Sequence, residues 1–403
     1  MEKTICELFA GVGGFRLGFE RLNSGWKTTW FSQWEPGARH QWAHDCYVQH
    51  FGDCVDLRGE FHTNDDISTV NKIDIPDHTL LVGGFPCQDY SVAQSLATSR
   101  GIEGRKGVLW WQIRDTLIAK KPAFCILENV DRLLASPATQ YGRDFGIILS
   151  CFYEQGYSVE WRVVRASRYG AAQRRNRTFI FAYRDDTAYG KRSAKKDGTA
   201  LMLNGFMSTA FPIVRATKIS EGDVSTDIAR VSSEFSFMFE NAGVMRDGHI
   251  TTAKIMELVE TPTPLSAILQ TDVDEKYYIS EDTMPKWVYL KGAKKIARVA
   301  KNGYEYIFSE GAIPFPDPLD RPARTMLTSE GALSRSTHVI EDPQTKRKRI
   351  LTPLEAERLN GFEDNWTNTG MTDRYRYFCM GNALVVPMIT RMGKVLDNII
   401  SKE

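Results

Sequence analysis

Apolar segments alternate with amphipathic segments from the start of the chain to about residue 185. The apolar segments are short and bounded by Gly, Pro or polar residues, which predicts β-strands at residues 4–9, 28–33, 80–85, 123–127, 157–164 and 178–183. The segments between them predict helices, because apolar residues recur at helical spacing, as in Phe145, Ile148, Leu149 and Phe152. Strands alternating with helices indicate an α/β fold with a mostly parallel sheet covered on both faces.

The pattern changes near residue 185 and returns near residue 345. Between these points Lys, Gly, Asn, Ser and Thr become frequent and the alternation is lost. A helical pattern then closes the chain, with one apolar face formed by Val385, Met388, Ile389, Met392, Val395 and Ile399. We predict a first domain at residues 1–187, a second domain or long insertion at 188–345, and a segment at 346–403 whose final helix returns to the first domain.

Composition narrows the function classes. A formal net charge of +1 gives no overall basicity, so a nucleic-acid partner must be met by local basic patches. The seven cysteines include no Cys-x-x-Cys pair, which favours free thiols in a reducing compartment. The N-terminus has no signal-peptide pattern, and the longest uncharged stretch, residues 198–214, is too polar to span a bilayer, so we expect no membrane association.

Four potential metal ligands share one predicted helix: His40, His44, Cys46 and His50. The same helix holds large aromatic residues, and no Cys-x-x-Cys pair accompanies it. We therefore expect a packed helix and no metal site.

A glycine-rich turn, Ala10-Gly11-Val12-Gly13-Gly14, follows the first strand and lets backbone approach a ligand closely. Alone it is equally typical of a tight turn. Arg16 stands where a dinucleotide-binding motif has its last glycine, which disfavours a nicotinamide dehydrogenase. Glu35 could accept hydrogen bonds from ribose hydroxyls, and Asp66 from an exocyclic amine with Ile67 packed on the base. These acidic residues favour an adenosyl ligand with a positive centre.

Another stretch with chemical character is Gly83-Gly84-Phe85-Pro86-Cys87, at the end of a predicted buried strand. Pro86 fixes its own backbone and would present Cys87 from a stiff loop. The next predicted strand ends in Glu128-Asn129, and parallel strands end at one edge of a sheet, so Cys87 and Glu128 could share a cleft. The alternatives are a buried structural thiol and a solvent-exposed carboxylate.

Arginines are concentrated between residues 161 and 177, where no acidic residue intervenes: Arg162, Arg165, Arg168, Arg174, Arg175 and Arg177. Guanidinium groups suit phosphates and carbonyl oxygens. A solvated charged face remains the alternative.

The ordered set of these motifs resembles the cytosine-C5 DNA methyltransferase family. Phe85-Pro86-Cys87-Gln88, Glu128-Asn129-Val130 and Gln173-x-Arg175-x-Arg177 carry the resemblance, which begins at residues 9–14 and closes with Gly381-Asn382-Ala383. Arg321-Pro322-Ala323-Arg324-Thr325 and residues 349–362 extend it. The resemblance implies a Rossmann-like methyltransferase sheet with helices on both faces, plus a smaller, irregular, largely β target-recognition domain in the insertion.

The resemblance also implies the chemistry. Cys87 corresponds to the nucleophile that adds to cytosine C6, and Glu128 to the group that binds protonated N3. Asn129 would orient Glu128, and Arg177 would bind O2 with Arg175 beside it. The reacting cytosine must leave the duplex, so base flipping is implied.

By the same resemblance, S-adenosyl-L-methionine is the cofactor and its binding positions are Phe9, Gly11, Gly13, Gly14, Glu35, Asp66, Ile67, Phe85 and Asn382. Residues 89–107 correspond to a loop that closes over DNA. One departure concerns position 37, where the family usually has an acidic residue and this chain has Gly37.

Double-stranded DNA is the partner that the resemblance implies, with the enzyme expected to act as a monomer. Basic residues and aromatics between residues 286 and 301 predict phosphate contacts. Two rivals stay open, an RNA substrate and a catalytically silent regulator. A restriction-modification system with a cognate endonuclease is a compatible setting, as is a cytoplasmic, nucleoid-associated location in a prokaryote or phage.

Overall fold

This computed structural model describes residues 1–85, 109–299 and 303–403. Pro86, Cys87 and the predicted closing loop at residues 89–107 lie outside the described residues. The chain forms two compact units, the first comprising Met1–Tyr169, Asn176–Glu260 and Leu384–Glu403, the second Gly170–Arg175 and Thr261–Ala383. The first unit thus continues past residue 187. The boundaries at 187 and 345 stay predictions about which residues meet DNA.

The strands are given in chain order. They are β1 Thr4–Leu8, β2 Lys27–Ser32, β3 Leu80–Gly84, β4 Phe124–Asn129, β5 Tyr157–Arg165, β6 Asn176–Arg184, β7 Ile213–Asp223, β8 Ala242–Arg246, β9 His249–Glu257, β10 Lys294–Val299, β11 Glu305–Glu310, β12 Val339–Glu341 and β13 Lys348–Ile350.

The α-helices of the described residues follow the same convention. They are α1 Gly14–Glu20, α2 Trp42–Phe51, α3 Trp110–Lys120, α4 Arg143–Glu154, α5 Ala188–Ser193, α6 Gly198–Asn204, α7 Phe206–Ala210, α8 Ile228–Glu234, α9 Met284–Lys291, α10 Pro353–Asn360, α11 Asp373–Asn382 and α12 Val386–Ile400. None of these helices is long and apolar enough to cross a membrane.

One large sheet organises the first unit, in the order β2-β1-β3-β4-β6-β5-β8-β9-β7. β1 pairs in parallel with β2 and β3, and β3 pairs in parallel with β4. All the remaining neighbours in the sheet, in the spatial order β4-β6-β5-β8-β9-β7, pair antiparallel. The prediction of a mostly parallel sheet therefore holds only for β1–β4. For β5 and β6 the physical reason is their connection at residues 166–175, which is shorter than the crossover of about a dozen residues that a parallel pair needs.

Helices cover both faces of this sheet, as expected for the α/β class. On one face a single apolar cluster joins Leu8 and Leu81 of the strands to Trp110 of α3 and Phe145 of α4. On the other face α1 packs against α12, closely enough that a Cβ at Gly18 would lie 2.6 Å from Ile389. Fixing α1 in this way also fixes the turn that precedes it.

The second unit is irregular, with two-stranded antiparallel ladders formed by β10–β11 and β12–β13 and with helices α9–α11. A buried ion-pair cluster holds part of it together. The Arg349 guanidinium donates to Asp342 Oδ2 at 2.8 Å and to both carboxylate oxygens of Glu355 at 2.8 Å. Glu355 also forms a capping box with Thr352 at the start of α10, so the cluster fixes the entry to that helix.

Candidate active site

The carboxyl ends of four parallel strands meet at one edge of the sheet in the first unit. These ends are Leu8 of β1, Ser32 of β2, Gly84 of β3 and Asn129 of β4. β1 lies between β2 and β3 in the sheet. The connection after β1 runs to β2, whereas the connection after β3 runs in the opposite direction along the sheet, to β4, and this opens a crevice at this edge. Most of the candidate site residues of the first unit follow these strand ends directly.

The turn after β1 has an unusual backbone. Phe9, Gly11 and Gly13 adopt positive φ angles of 55°, 57° and 87°. The Gly11 N–H donates to Gln33 Oε1 at 2.7 Å, which ties the turn to the end of β2. A Cβ at Gly11 would meet no described atom within 4 Å, whereas a Cβ at Gly13 would lie 2.4 Å from Phe51. Gly11 thus borders open space, and Gly13 allows close packing beneath it.

Glu35 lies just beyond β2, with its main chain fixed by Gln41. The Glu35 N–H donates to Gln41 Oε1 at 2.8 Å, and Gln41 Nε2 donates to the Glu35 carbonyl at 3.0 Å. The carboxylate atom Oε2 is buried and has no hydrogen-bond partner among the described residues. Burial also raises the pKa of this carboxyl group. Such an acceptor fits a ligand that brings hydroxyl donors.

A second loop presents Asp66 and Ile67. The buried ammonium of Lys72 donates to the carbonyls of Ile67 at 2.5 Å and Val70 at 2.7 Å, which closes the loop. The Ser68 N–H donates to Asp66 Oδ1 at 2.9 Å. The loop therefore has one fixed conformation in which the Ile67 side chain joins the core of the unit.

These residues fit an adenosyl ligand. Phe9, Ile67 and Phe85 belong to or pack against the same apolar cluster, which suits the flat face of a base. Open space beside Gly11 admits the ligand close to the backbone, and the unpaired Glu35 oxygen suits a ribose hydroxyl. Among the described residues assigned to this site, there is no cluster of cationic side chains of the kind that would bind a pyrophosphate instead.

Glu128 and Arg177 form an ion pair at the same edge of the sheet. Arg177 Nε lies 2.6 Å from Glu128 Oε1, but the two atoms are not aligned as a hydrogen bond. Glu128 is paired in register with Gly84, directly before Phe85. Asn129 Nδ2 donates to the Phe85 carbonyl at 3.0 Å, which fixes the backbone at Phe85, two residues before Cys87 in the sequence. The structure thus brings together three of the predicted catalytic neighbours of Cys87.

Arg175 is placed differently. Its side chain is 1% exposed and lies in the second unit, where it donates to the carbonyls of Met326 at 3.1 Å, Gly381 at 3.0 Å and Asn382 at 3.2 Å. These bonds satisfy the carboxyl end of α11, where Asn382 is the last residue. The described contacts of Arg175 are therefore with main chain, and Asn382 takes part through its carbonyl group.

The predicted positive stripe at residues 161–177 is interrupted. Arg162 is 1% exposed and donates to the carbonyls of Phe211 at 2.6 Å and Met207 at 3.1 Å. Side chains alternate between the two faces of a strand, and Arg162 lies on a face of β5 that is covered. The sequence pattern alone does not reveal that this face is covered. Arg174 is exposed, whereas Arg175 is buried.

Three supporting residues were not predicted from the sequence: Glu7, Gln33 and Lys72. A fourth, Gln173, was named there only as part of a motif and was given no role. Glu7 is fully buried in β1, and Gln33 and Lys72 fix the two loops described above. Gln173 is buried in the second unit and donates to Asn360 Oδ1 at 2.6 Å. The sequence signal that could have identified these residues is a polar or charged residue within or next to an apolar run. The same signal is typical of a strand position that faces solvent, so it is not specific.

Comparison with known proteins adds the family. The family model described as C-5 cytosine-specific DNA methylase matches residues 3–398. The chain is 46% identical over 404 residues to the Type II methyltransferase M.Sau3AI of Staphylococcus aureus, covering 98% of this chain and 96% of that relative. It is 26% identical to the Type II methyltransferase M.SsoII of Shigella sonnei, covering 98% of this chain and 80% of that relative.

Solved structures show the same fold. The Entamoeba histolytica methyltransferase EhMeth matches with a TM-score of 0.60 and 16% identity over 99% of both chains. The Dnmt2 methyltransferase of S. pombe matches with a TM-score of 0.57 and 14% identity, over 100% of this chain and 99% of that one. At these identities the likeness concerns the methyltransferase fold alone.

Proposed function

The chain belongs to the C-5 cytosine-specific DNA methylase family, and from that premise we propose how its residues divide the work of methyl transfer. It is a DNA (cytosine-5-)-methyltransferase. The observation that best supports the residue assignments is the Glu128–Arg177 ion pair, in register with the strand that precedes Cys87 in the sequence.

We assign Cys87 as the nucleophile. Its thiolate adds to cytosine C6, and the electron pair of the C5=C6 bond shifts into the ring, which makes C5 enamine-like and able to accept a methyl group. Once C5 carries the methyl group, its proton leaves to water, the electron pair of that C–H bond re-forms the C5=C6 bond, and the S–C6 bond breaks with Cys87 leaving as the thiolate. Cys87 lies outside the described residues, so this role is supported by the Phe85-Pro86-Cys87-Gln88 motif, in which a proline, whose backbone φ angle is fixed, precedes the cysteine.

Glu128 and Arg177 stabilise the ring while Cys87 is attached. Glu128 binds the protonated N3 edge, and Arg177 donates to O2, where negative charge would otherwise build up. Arg177 has five N–H donors, and its described contacts occupy only Nε, on Glu128, and Nη1, on the Asn176 carbonyl at 2.7 Å. The described geometry is therefore compatible with a guanidinium that pairs with Glu128 and also meets the base.

Asn129 and Arg175 are assigned positioning roles. Asn129 orients the Cys87 loop through the Phe85 carbonyl, which explains why an amide follows the catalytic carboxylate. The described hydrogen bonds of the Arg175 guanidinium go to carbonyls of the second unit, so its proposed contribution is to hold that main chain.

S-adenosyl-L-methionine is the cofactor that fits the crevice, and when bound it supplies a methyl group carried on positively charged sulfur. Glu35 binds the ribose hydroxyls, and Asp66 accepts from the adenine amine while Ile67 and Phe85 pack on the rings. Phe9 and the glycines of the turn admit the ligand to the backbone. The full proposed set is Phe9, Gly11, Gly13, Gly14, Glu35, Asp66, Ile67, Phe85 and Asn382, of which Asn382 is supported by the sequence motif alone.

Residues 188–345 remain the proposed target-recognition region for duplex DNA. Lys286, Lys295 and Arg298 are exposed and suited to phosphate contacts. Lys291 is not, because its ammonium is buried and donates to the carbonyls of Arg335, at 2.9 Å, and Thr337. The basic patch therefore lacks one of the cations that its sequence suggests.

The setting is inferred from the relatives. Because they are named Type II methyltransferases, we propose that this enzyme belongs to a restriction-modification system and protects sites from a cognate endonuclease. It then works in the cytoplasm on nucleoid DNA. A flipped base requires a single active site, so we propose that the enzyme acts as a monomer on DNA.

The decisive experiment for this function compares substrates. Purified enzyme receives tritiated S-adenosyl-L-methionine with duplex DNA and, in parallel, with transfer RNA. We expect label in DNA alone, and bisulfite sequencing of that DNA then gives the methylated cytosine and its sequence context. Label found only in transfer RNA would contradict the DNA assignment, and no label in either would contradict the enzymatic one.

A further inference from the structure

A buried carboxyl group lies beneath the turn that we assign to the cofactor. Glu7 of β1 has 0% of its side chain exposed, and the Tyr47 hydroxyl on α2 donates to Glu7 Oε2 at 3.1 Å. Glu7 Oε1 is also buried and forms no aligned hydrogen bond with the described residues. Burying a carboxyl group is unfavourable unless the group is paired, so Glu7 calls for an explanation.

Glu7 links the two ends of the turn. It stands two residues before Phe9, and the backbone N–H groups of Phe15 and Arg16, in the first turn of α1, favour its ionised form. Burial acts in the opposite direction and raises the Glu7 pKa to about 8. The carboxyl group therefore interacts with the segment that enters the turn, the segment that leaves it, and α2.

Aromatic contacts extend this arrangement across α2. The Tyr47 ring stacks on Phe31 of β2 with centroids 3.9 Å apart. The Arg16 guanidinium lies 4.4 Å from the centre of the Phe51 ring, and Nη2 donates to the Phe51 carbonyl at 3.4 Å. Phe51 is the side chain that a Cβ at Gly13 would strike. Helix α2 is thereby fixed directly under the turn.

The turn needs such support, because Phe9 has a φ of 55° without being glycine. A backbone of this kind persists only where the surroundings impose it, at a cost of about 1–2 kcal/mol for a left-handed residue. The Gly11 bond to Gln33, the Tyr47 bond to the buried Glu7 carboxyl group and the aromatic packing below the turn provide that constraint.

We propose that Glu7 and Tyr47 are positioning residues that hold the Phe9–Gly13 turn in its cofactor-binding conformation. The inference rests on the proposed cofactor site. It predicts that breaking the Tyr47–Glu7 bond weakens cofactor binding, because part of the binding energy must then order the turn. Methyl transfer from the bound state is unaffected, since neither residue touches the reacting atoms.

The same unit contains a matched control. Glu160 of β5 is equally buried and accepts from the Tyr189 hydroxyl at 2.9 Å. Its two oxygens also accept from the main-chain N–H groups of Phe206 at 3.2 Å and Met207 at 3.0 Å. Tyr189→Phe therefore removes a tyrosine–glutamate bond of the same kind at a place that is unconnected with the turn.

The test uses calorimetric titration of the full-length enzyme with S-adenosyl-L-homocysteine, which binds without reacting. We expect Tyr47→Phe and Glu7→Leu to bind about tenfold more weakly than wild type, whereas Tyr189→Phe keeps wild-type affinity although it loses some thermal stability. Leucine is used at position 7 because glutamine would keep an oxygen that accepts from the Tyr47 hydroxyl. In steady-state methylation the KM for S-adenosyl-L-methionine rises by a similar factor, while kcat and the KM for DNA stay unchanged. The double variant Glu7→Leu/Tyr47→Phe should be no weaker than Glu7→Leu alone, because both changes remove one interaction.

Several outcomes would overturn the inference. Equal affinity of Tyr47→Phe and wild type would show that the pair does not set the turn, and the proposed cofactor function would stand. A loss of kcat at unchanged KM would also contradict it. Failure of wild type itself to bind S-adenosyl-L-homocysteine would instead remove the cofactor site and the inference with it. If Glu7→Leu does not fold, Tyr47→Phe decides alone, since it keeps the ring and its packing.

Discussion

Replacement of Arg175 by lysine distinguishes a positioning role from a catalytic one. The Arg175 guanidinium reaches three carbonyl oxygens at 3.0–3.2 Å, on Met326, Gly381 and Asn382. Lysine keeps the positive charge but carries it on a single nitrogen, which cannot span three acceptors fixed for a planar fork. We therefore expect Arg175→Lys to lose about two of the three bonds.

The expected cost follows from these bonds. A hydrogen bond from a charged donor contributes about 1.5–3 kcal/mol, so the loss of two gives roughly 3–6 kcal/mol before the surroundings relax. We expect a net loss near the lower value, about 3 kcal/mol, because water or the ammonium recovers part of it. The second unit is slightly smaller than the domains of about 150–250 residues in which 1 kcal/mol shifts Tm by about 2–4 °C, so its Tm should fall by at least roughly 6–12 °C.

Scanning calorimetry of Arg175→Lys, wild type and the control Arg174→Lys measures this shift. Arg174 is the exposed neighbour, so its replacement should leave Tm within about 2 °C of wild type. Methylation measured well below both transitions should retain kcat within about tenfold for Arg175→Lys. An unchanged Tm together with a loss of kcat greater than about a hundredfold would refute the reasoning and place Arg175 at the reacting base.

Three further predictions concern the site itself. Glu128→Gln should lower kcat by about 10²–10⁴-fold and leave DNA affinity near wild type, as filter binding and tritium transfer will measure. Cofactor affinity should fall as the pH is lowered, starting above the usual range of a glutamate, because burial raises the Glu35 pKa and only the ionised group accepts from hydroxyls with both oxygens. Calorimetry at a series of pH values tests this, and Glu35→Gln should lack the dependence. Gly13→Ala, whose Cβ would strike Phe51, should lower the free energy of unfolding more than Gly11→Ala, whose Cβ meets no described atom and should cost only about 1–2 kcal/mol. Gly11→Ala should instead weaken cofactor binding, because its methyl group enters the space that admits the ligand.

Each of these has a contrary result. Full activity of Glu128→Gln would remove its contact with N3. A pH dependence of cofactor binding that persists unchanged in Glu35→Gln would assign it to another group. Equal behaviour of Gly11→Ala and Gly13→Ala would show that the contact with Phe51 does not shape the turn.

The strand ends were predictable because their signals are local. The glycine turn after β1, the Glu128-Asn129 pair at the end of β4 and the closing helix α12 all depend on short-range patterns. Parallel strands then bring such ends to one edge, which is why the sequence alone could place Glu128 beside the end of the strand that precedes Cys87. The family resemblance added the ordered motifs and their chemistry.

The antiparallel half of the sheet was missed for identifiable reasons. Strands β7–β9 lie in the segment where polar residues obscure the alternation. The Asp247-Gly248 pair between β8 and β9 was the available signal, since both residues have the positive φ that a two-residue hairpin needs.

The sequence pattern also could not predict that Arg175 and Arg177, which have identical side chains, would lie in different environments. Arg175 and Arg177 are separated by one residue, yet Arg175 precedes β6 and is buried among carbonyls, while Arg177 lies within β6 and pairs with Glu128. Their difference depends on contacts distant in sequence, at Glu128 and at residues 326 and 381–382. Neither periodicity nor composition carries that information.

Covalent trapping tests the central claim most directly. Duplex DNA carrying 5-fluorocytosine in the enzyme's own methylation site is incubated with the enzyme and S-adenosyl-L-methionine. Because fluorine at C5 cannot leave as a proton does, the S–C6 bond should persist as a denaturation-resistant complex, with the modified peptide containing Cys87. Cys87→Ser should form none. A wild-type enzyme that methylates ordinary DNA without forming this complex, or a complex that persists in Cys87→Ser, would contradict the account.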